Sequence, residues 1–146
     1  MAKTRIYMKR LIIIMAFSLF GLFSCKGQNN LTVKEFESML AADSTAQLLD
    51  VRTPEEFAEG HIGGAMNIDW KAEGFAQKAQ EQLAKDRPVM VYCRSGRRSA
   101  EASAVLEELG FKTFNLLDGI KAWIEAGNVN VKVSTPLSPS SRPTLQ

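Results

Sequence analysis

Cys93 stands at the end of the apolar run Pro88–Tyr92 and opens the loop Cys93-Arg94-Ser95-Gly96-Arg97-Arg98-Ser99. A helix-like segment, Ser99–Leu109, follows directly. This is how a thiolate nucleophile is built beside an anion site. Backbone N–H groups of the loop and of the first helical turn converge on the sulfur, and together with the helix dipole they favour negative charge there. Three arginines push the same way. An inert cysteine that merely ends a strand has no use for the sequence R-S-G-R-R-S behind it. Ser95 and Gly96 offer mainly backbone N–H groups, and Gly96 also permits the positive φ that a tight loop around sulfur needs. Arginine suits bidentate binding of oxyanions, so Arg97 and Arg98 are expected to bind an anion or support the loop. Arg94 is expected at the rim, and Ser99 closes the set of substrate-binding positions.

Further motifs accompany the loop. Asp50-Val51-Arg52-Thr53-Pro54-Glu55-Glu56-Phe57 and Gly60-His61-Ile62-Gly63-Gly64-Ala65-Met66-Asn67-Ile68 precede it, and Ile120-Lys121-Ala122-Trp123 follows. In this order and spacing the chain resembles the rhodanese-like sulfurtransferases, over about residues 31–133. The loop has the C-x-x-G-x-R-S form of single-domain members. Asp118 departs from the pattern, standing where the family usually has the first of two glycines. Aspartate tolerates left-handed backbone better than most residues, so local adjustment is expected there and not a broken fold.

The chemistry such a loop supports is sulfur transfer. A thiolate ringed by N–H donors attacks the outer sulfur of a donor such as thiosulfate and keeps it as a persulfide on Cys93. Cyanide or a thiol, including that of a protein, then takes the sulfur. Neither a general base nor a cofactor is called for. His61 is the only histidine; in the resemblance its role is structural. It cannot form a metal site alone, and no spacing of His, Cys and carboxylates suggests a metal. Asp50, Arg52 and Glu56 read as an internal ion pair and a helix cap that fix the neighbouring loop. Phe57 and Trp123 read as core, while Trp70 divides evenly between packing and the rim of the site.

Two other readings compete. A cysteine phosphatase or arsenate reductase would follow C-x5-R, but the sixth position after Cys93 is Ser99, and Arg98 comes one residue early. A partner-binding module without catalysis would usually lack the cysteine or corrupt the loop. A self-contained oxidoreductase is disfavoured by the absence of a C-x-x-C pair.

The loop must be carried by a fold of alternating strands and helices. Strands are expected at Gln47–Val51, Ala65–Ile68, Pro88–Tyr92 and Thr113–Leu116. Helices are expected at Pro54–Glu59, Phe75–Lys85, Ser99–Leu109 and Ile120–Ala126, and Leu31–Ala42 reads as a short strand turning into a helix. Such alternation makes an α/β domain, a mostly parallel sheet with helices on both faces. The resemblance implies five central strands. Ligands in open α/β sheets bind beyond the carboxyl ends of the strands, where Cys93 sits.

The chain ends bear on location. Lys3, Arg5, Lys9 and Arg10 precede the apolar run Leu11–Phe23, which closes in Leu22-Phe23-Ser24-Cys25. This reads as a lipoprotein-type signal over residues 1–24, cleaved after Ser24, with Cys25 carrying lipid and residues 25–30 serving as a short linker. The expected location is a bacterial membrane, facing the periplasm. Cys25 and Cys93 are the only cysteines, so lipidation leaves Cys93 without a disulfide partner. Removing the four signal cations turns the formal +2 into about −2, with 14 basic against 16 acidic side chains. No basic face is left for nucleic acid. Residues 134–146, with nine Ser, Thr or Pro among thirteen, read as a disordered tail.

Overall fold

A computed structural model describes residues 29–128 and the backbone of 131–132. The expected signal, lipidated cysteine and C-terminal tail lie outside these residues. Among the described residues, no helix is long and apolar enough to cross a membrane.

The elements are β1 (Asn30–Leu31), α1 (Val33–Ala42), β2 (Gln47–Asp50), α2 (Pro54–Glu59), β3 (His61–Ile62), β4 (Met66–Asn67) and α3 (Phe75–Gln82). They continue with β5 (Val89–Tyr92), α4 (Arg97–Glu108), β6 (Thr113–Leu116), α5 (Gly119–Glu125) and β7 (Val131–Lys132). Five strands form one sheet in the order β1-β6-β5-β2-β4, with every neighbouring pair parallel. The five-stranded parallel sheet and its flanking helices are those expected of the rhodanese-like α/β domain.

β5 is central, and all four of its residues are buried. That is why it reads as an unbroken apolar run and not as an alternating one. Its side chains nevertheless divide by strand periodicity. Val89, Val91 and Cys93 join Leu49, Phe75, Ala79, Ala102 and Leu106 on the face covered by α3 and α4. Met90 and Tyr92 join Phe36, Leu116, Ile120 and Trp123 on the face covered by α1 and α5. The sulfur therefore belongs to the α3/α4 side of the sheet, at its carboxyl end. Trp123 is a core residue, edge-on to Phe36 with ring centroids 6.2 Å apart.

Local chemistry sets the element boundaries. Thr32 and Thr53 each begin a helix with a capping box, closed by Glu35 and Glu56 respectively. α3 stops at Gln82, short of the expected Lys85, because Leu83 turns extended (φ −106°, ψ 141°) and its side chain joins the core. α4 starts at Arg97, two residues before the expected Ser99. Gly96 takes φ +85°, and its carbonyl accepts the N–H of Ala100 at 3.1 Å. The expected Ala65–Ile68 strand shortens to Met66–Asn67. Asp118 adopts φ 63° and the fold continues through it unbroken. A small antiparallel pair, β3 with β7, has no counterpart among the expected elements. Two-residue strands carry no periodicity to read.

Phe36 is fully buried against the Trp123 edge. Phe36→Ala is expected to cost about 3–5 kcal/mol through lost transfer and an unfilled cavity. Urea unfolding checks this: the midpoint should fall with little change in slope.

Candidate active site

The loop closes on its own sulfur. Cys93 is 1% exposed, and its Sγ accepts the N–H of Gly96 at 3.2 Å. The Ser99 hydroxyl lies 3.3 Å from the sulfur and 3.1 Å from the Gly96 carbonyl oxygen, so its one proton can serve either acceptor. Because α4 begins at Arg97, Ser99 occupies the first helical turn, which brings its Oγ over the sulfur. The 12-residue helix points its amino end at the loop, adding the positive end of its dipole.

A second helix holds the other side of the loop. At the amino end of α5, the Ile120 N–H donates to the Cys93 carbonyl at 2.9 Å and the Lys121 N–H to the Arg94 carbonyl at 3.3 Å. Asn115 on β6 donates from Nδ2 to the Gly96 carbonyl at 3.3 Å. These bonds satisfy the Cys93, Arg94 and Gly96 carbonyls on α5 and β6 and so hold the loop in place. The approach is very close at Gly119, where a Cβ would lie 2.5 Å from the Arg94 carbonyl carbon and oxygen. Only glycine fits there, and its φ of +66° also favours glycine.

The three arginines have different fates. Arg98 makes a bidentate pair with Glu56, Nη1 to Oε2 at 2.7 Å and Nη2 to Oε1 at 2.8 Å. Glu56 at the same time accepts the Thr53 N–H at 3.1 Å in the cap of α2. The pair thus ties the α2 cap to the first turn of α4. The Arg98 guanidinium, ahead of a smaller opposing cost of burial, holds the Glu56 carboxyl down at about 2. Arg98 is in turn stabilised as a cation, first by Glu56 and, more weakly, by the Cys93 sulfur. Arg97 corrects the expectation of an inward anion binder. Its side chain is 88% exposed, with Nε 3.6 Å from Glu101 one turn along the helix, because position 97 falls on the solvent side where 98 falls on the loop side. Arg94 and Ser95 are exposed, as a rim position requires.

The residues read as structural support form a network of their own. Asp50 is fully buried and Arg52 is 6% exposed. Arg52 donates Nη2 to Asp50 Oδ2 at 2.7 Å and to the Gly60 carbonyl at 2.6 Å. The Tyr92 hydroxyl accepts the Ile62 N–H at 3.1 Å, and burial pushes this phenol well above its ordinary value, so it stays neutral. His61 stacks on Phe57 with centroids 3.8 Å apart, and its Nδ1 lies 3.0 Å from the Phe57 carbonyl. Trp70 takes the packing role: its ring lies against Phe75 at 5.0 Å between centroids, and Nε1 donates to the exposed Glu101 at 3.3 Å.

The Glu56–Arg98 pair, the α5 clamp and Asn115 escape sequence reasoning. Glu56 and Arg98 are 42 residues apart, and nothing in either local pattern marks the other as partner. Gly119 leaves a trace, as the second glycine position beside the atypical Asp118.

Comparison with known proteins agrees with this architecture. The model of the rhodanese-like domain matches residues 32–126. Protein YqhL of Bacillus subtilis is 35% identical over 127 residues, covering 84% of this chain and 94% of its own. A sulfurtransferase of Allochromatium vinosum is 35% identical over 100 residues, covering 68% of this chain and 91% of its own. The crystal structure of a rhodanese-like domain protein from Staphylococcus aureus superposes with a TM-score of 0.63 at 27% identity, covering 74% of this chain and all of that one. The chain belongs to the rhodanese-like family, and these relationships support sulfur transfer in general.

Glu56 gives a signed pH prediction. Its folded value of about 2 lies below the ordinary 4.5, so its contribution is complete above pH 4.5 and is lost as pH falls from there toward 2. Glu56→Gln should lower stability at neutral pH by about 2 kcal/mol, after allowance for its partial exposure. Between pH 4.5 and 2 the stability of the variant should fall less steeply than that of the parent. Urea unfolding across that range measures both.

Proposed function

We propose that this protein is a rhodanese-type sulfurtransferase that moves a sulfane sulfur through a Cys93 persulfide. The observation that carries the reading is the Cys93 sulfur receiving the Gly96 N–H at 3.2 Å with the Ser99 hydroxyl at 3.3 Å. With thiosulfate, Cys93 thiolate attacks the outer sulfur, the S–S bond of the donor breaks, and sulfite leaves with the bonding pair. The product is a Cys93 persulfide anion, which the same donors stabilise. In the second half-reaction cyanide or a thiolate attacks the terminal sulfur and returns Cys93 as thiolate. Neither step oxidises or reduces the protein overall, and neither needs a proton from His61. The depth of Cys93 favours slender acceptors or a thiol that protrudes from its carrier.

We further propose that Cys25 carries the lipid that holds the domain at a bacterial membrane facing the periplasm. The motif Leu22-Phe23-Ser24-Cys25 after an apolar run supports this. From Cys25 to Asn30 the chain reaches at most ~18 Å, so the domain rides close to the lipid. β1 begins at Asn30 and runs parallel to the sheet whose carboxyl end carries Cys93. Asn30 lies at the end of the sheet opposite the sulfur, which supports a reading in which the loop faces away from the lipid.

Intact-mass spectrometry on the detergent-solubilised chain, before and after thiosulfate and then cyanide, tests the chemistry. The expected result is a gain of one sulfur atom, lost to cyanide. Cys93→Ser should abolish both the adduct and turnover, with thermal unfolding close to that of the parent. Unchanged turnover in that variant sinks the mechanism. Cys25→Ala should move the protein from the membrane to the soluble fraction, and retention in the membrane would point to an uncleaved anchor.

A further inference from the structure

The Ser99 hydroxyl carries one proton and has two acceptors in reach, the Cys93 sulfur at 3.3 Å and the Gly96 carbonyl oxygen at 3.1 Å. Ser99 is fully buried, so bulk water does not compete for that proton. Which acceptor takes it depends on how the Gly96 carbonyl is already occupied. The Ala100 N–H donates to this oxygen at 3.1 Å as α4 begins. Asn115 Nδ2 donates to it from β6 at 3.3 Å. A carbonyl oxygen has two lone pairs, and these two donors fill them.

The Asn115 amide is turned to suit. Gly96 presents a backbone carbonyl, which only accepts, so the amide must point its nitrogen there. The other proton of Nδ2 goes to Asn30 Oδ1 at 2.8 Å. Asn115 Oδ1 is buried with no hydrogen-bond partner among the described residues. Orphaning a buried acceptor is costly, and the fold bears that cost while using both donors of the same side chain.

We infer that Asn115 is a positioning residue for the nucleophile: by filling the Gly96 carbonyl from β6, it directs the Ser99 proton onto the Cys93 sulfur. This rests on the reading of Cys93 as the transferring thiol. With Asn115 in place the thiolate receives two donors, the Gly96 N–H at 3.2 Å and the Ser99 hydroxyl at 3.3 Å. Without it the Ser99 hydroxyl turns to the carbonyl oxygen, the nearer of its two acceptors, and the thiolate loses that donor. Asn115 thus acts on the sulfur through Ser99 and touches no reacting atom.

A double-mutant cycle on the full chain in detergent tests this. The Cys93 thiolate is titrated by its ultraviolet absorbance, with Cys93→Ser as the blank. In Ser99→Ala the midpoint should rise by about one pH unit, a tenfold loss of thiolate stabilisation. Asn115→Leu should raise it by a similar amount. With both substitutions together the midpoint should match that of Ser99→Ala alone, because no hydroxyl proton is left to redirect. A residue that only packs the loop would add its own shift in the Ser99→Ala background, and that result overturns the inference. An unmoved midpoint in a folded Asn115→Leu overturns it too. Should leucine not be accommodated, Asn115→Thr, which suits a strand, takes its place in the cycle. An unmoved midpoint in Ser99→Ala overturns the inference however the Asn115 variants fold. Failure of the persulfide reading looks different: no donor would place sulfur on Cys93, while these midpoints would still shift.

Discussion

Two backbone hydrogen bonds, from Ile120 N–H to the Cys93 carbonyl and from Lys121 N–H to the Arg94 carbonyl, decide how the reactive loop faces its own sulfur. A peptide group cannot aim its N–H inward unless its carbonyl finds a partner outside. Helix α5 supplies those partners from its unpaired amino-terminal N–H groups. Gly119 lets the helix approach to a distance that no side chain would allow, and Asn115 holds the Gly96 carbonyl. In the loop held this way the Gly96 N–H meets the sulfur at 3.2 Å. The anion-stabilising end of the molecule is therefore built by two helix amino ends, one pointing at the sulfur and one pulling the opposite side of the loop away from it.

The charge arrangement follows the same economy. An arginine-rich loop suggests a strongly cationic pocket, but only Arg98 faces inward, and Glu56 answers it. The pair serves stability and electrostatics together, because Glu56 also caps α2 and so carries the loop position back to the end of β2. On the other face of the sheet, buried Asp50 and Arg52 join the same region to Gly60. Breaking one member of such a buried pair leaves an uncompensated charge, so these residues constrain conformation as well as adding energy.

The strand that carries Cys93 was legible because burial on both faces removes polar alternation, leaving Val89-Met90-Val91-Tyr92 as a plain apolar run. The helices at 33–42, 54–59 and 119–125 were legible from the alternation of strand-like and helix-like segments, within a residue or two at their ends. α4 was placed two residues late because its start is decided by Gly96 taking a left-handed conformation under Asp118 and Leu116, contacts from a distant strand end. The β3–β7 pair was not legible, since its register depends on residues 61 and 132 meeting across the fold.

What the sequence determined by itself was local and chemical: a thiol at a strand end, a glycine able to turn, guanidinium groups beside it, and motif spacing that names the family. The tertiary structure alone decided which of those groups meet. Arg97 and Arg98 are adjacent and chemically identical, yet a helix rotates successive residues by about 100°, so one faces water and the other Glu56. Glu56 lies 42 residues from Arg98, and no local preference in either segment encodes that encounter. It exists because the parallel sheet brings the carboxyl ends of β2 and β5 side by side.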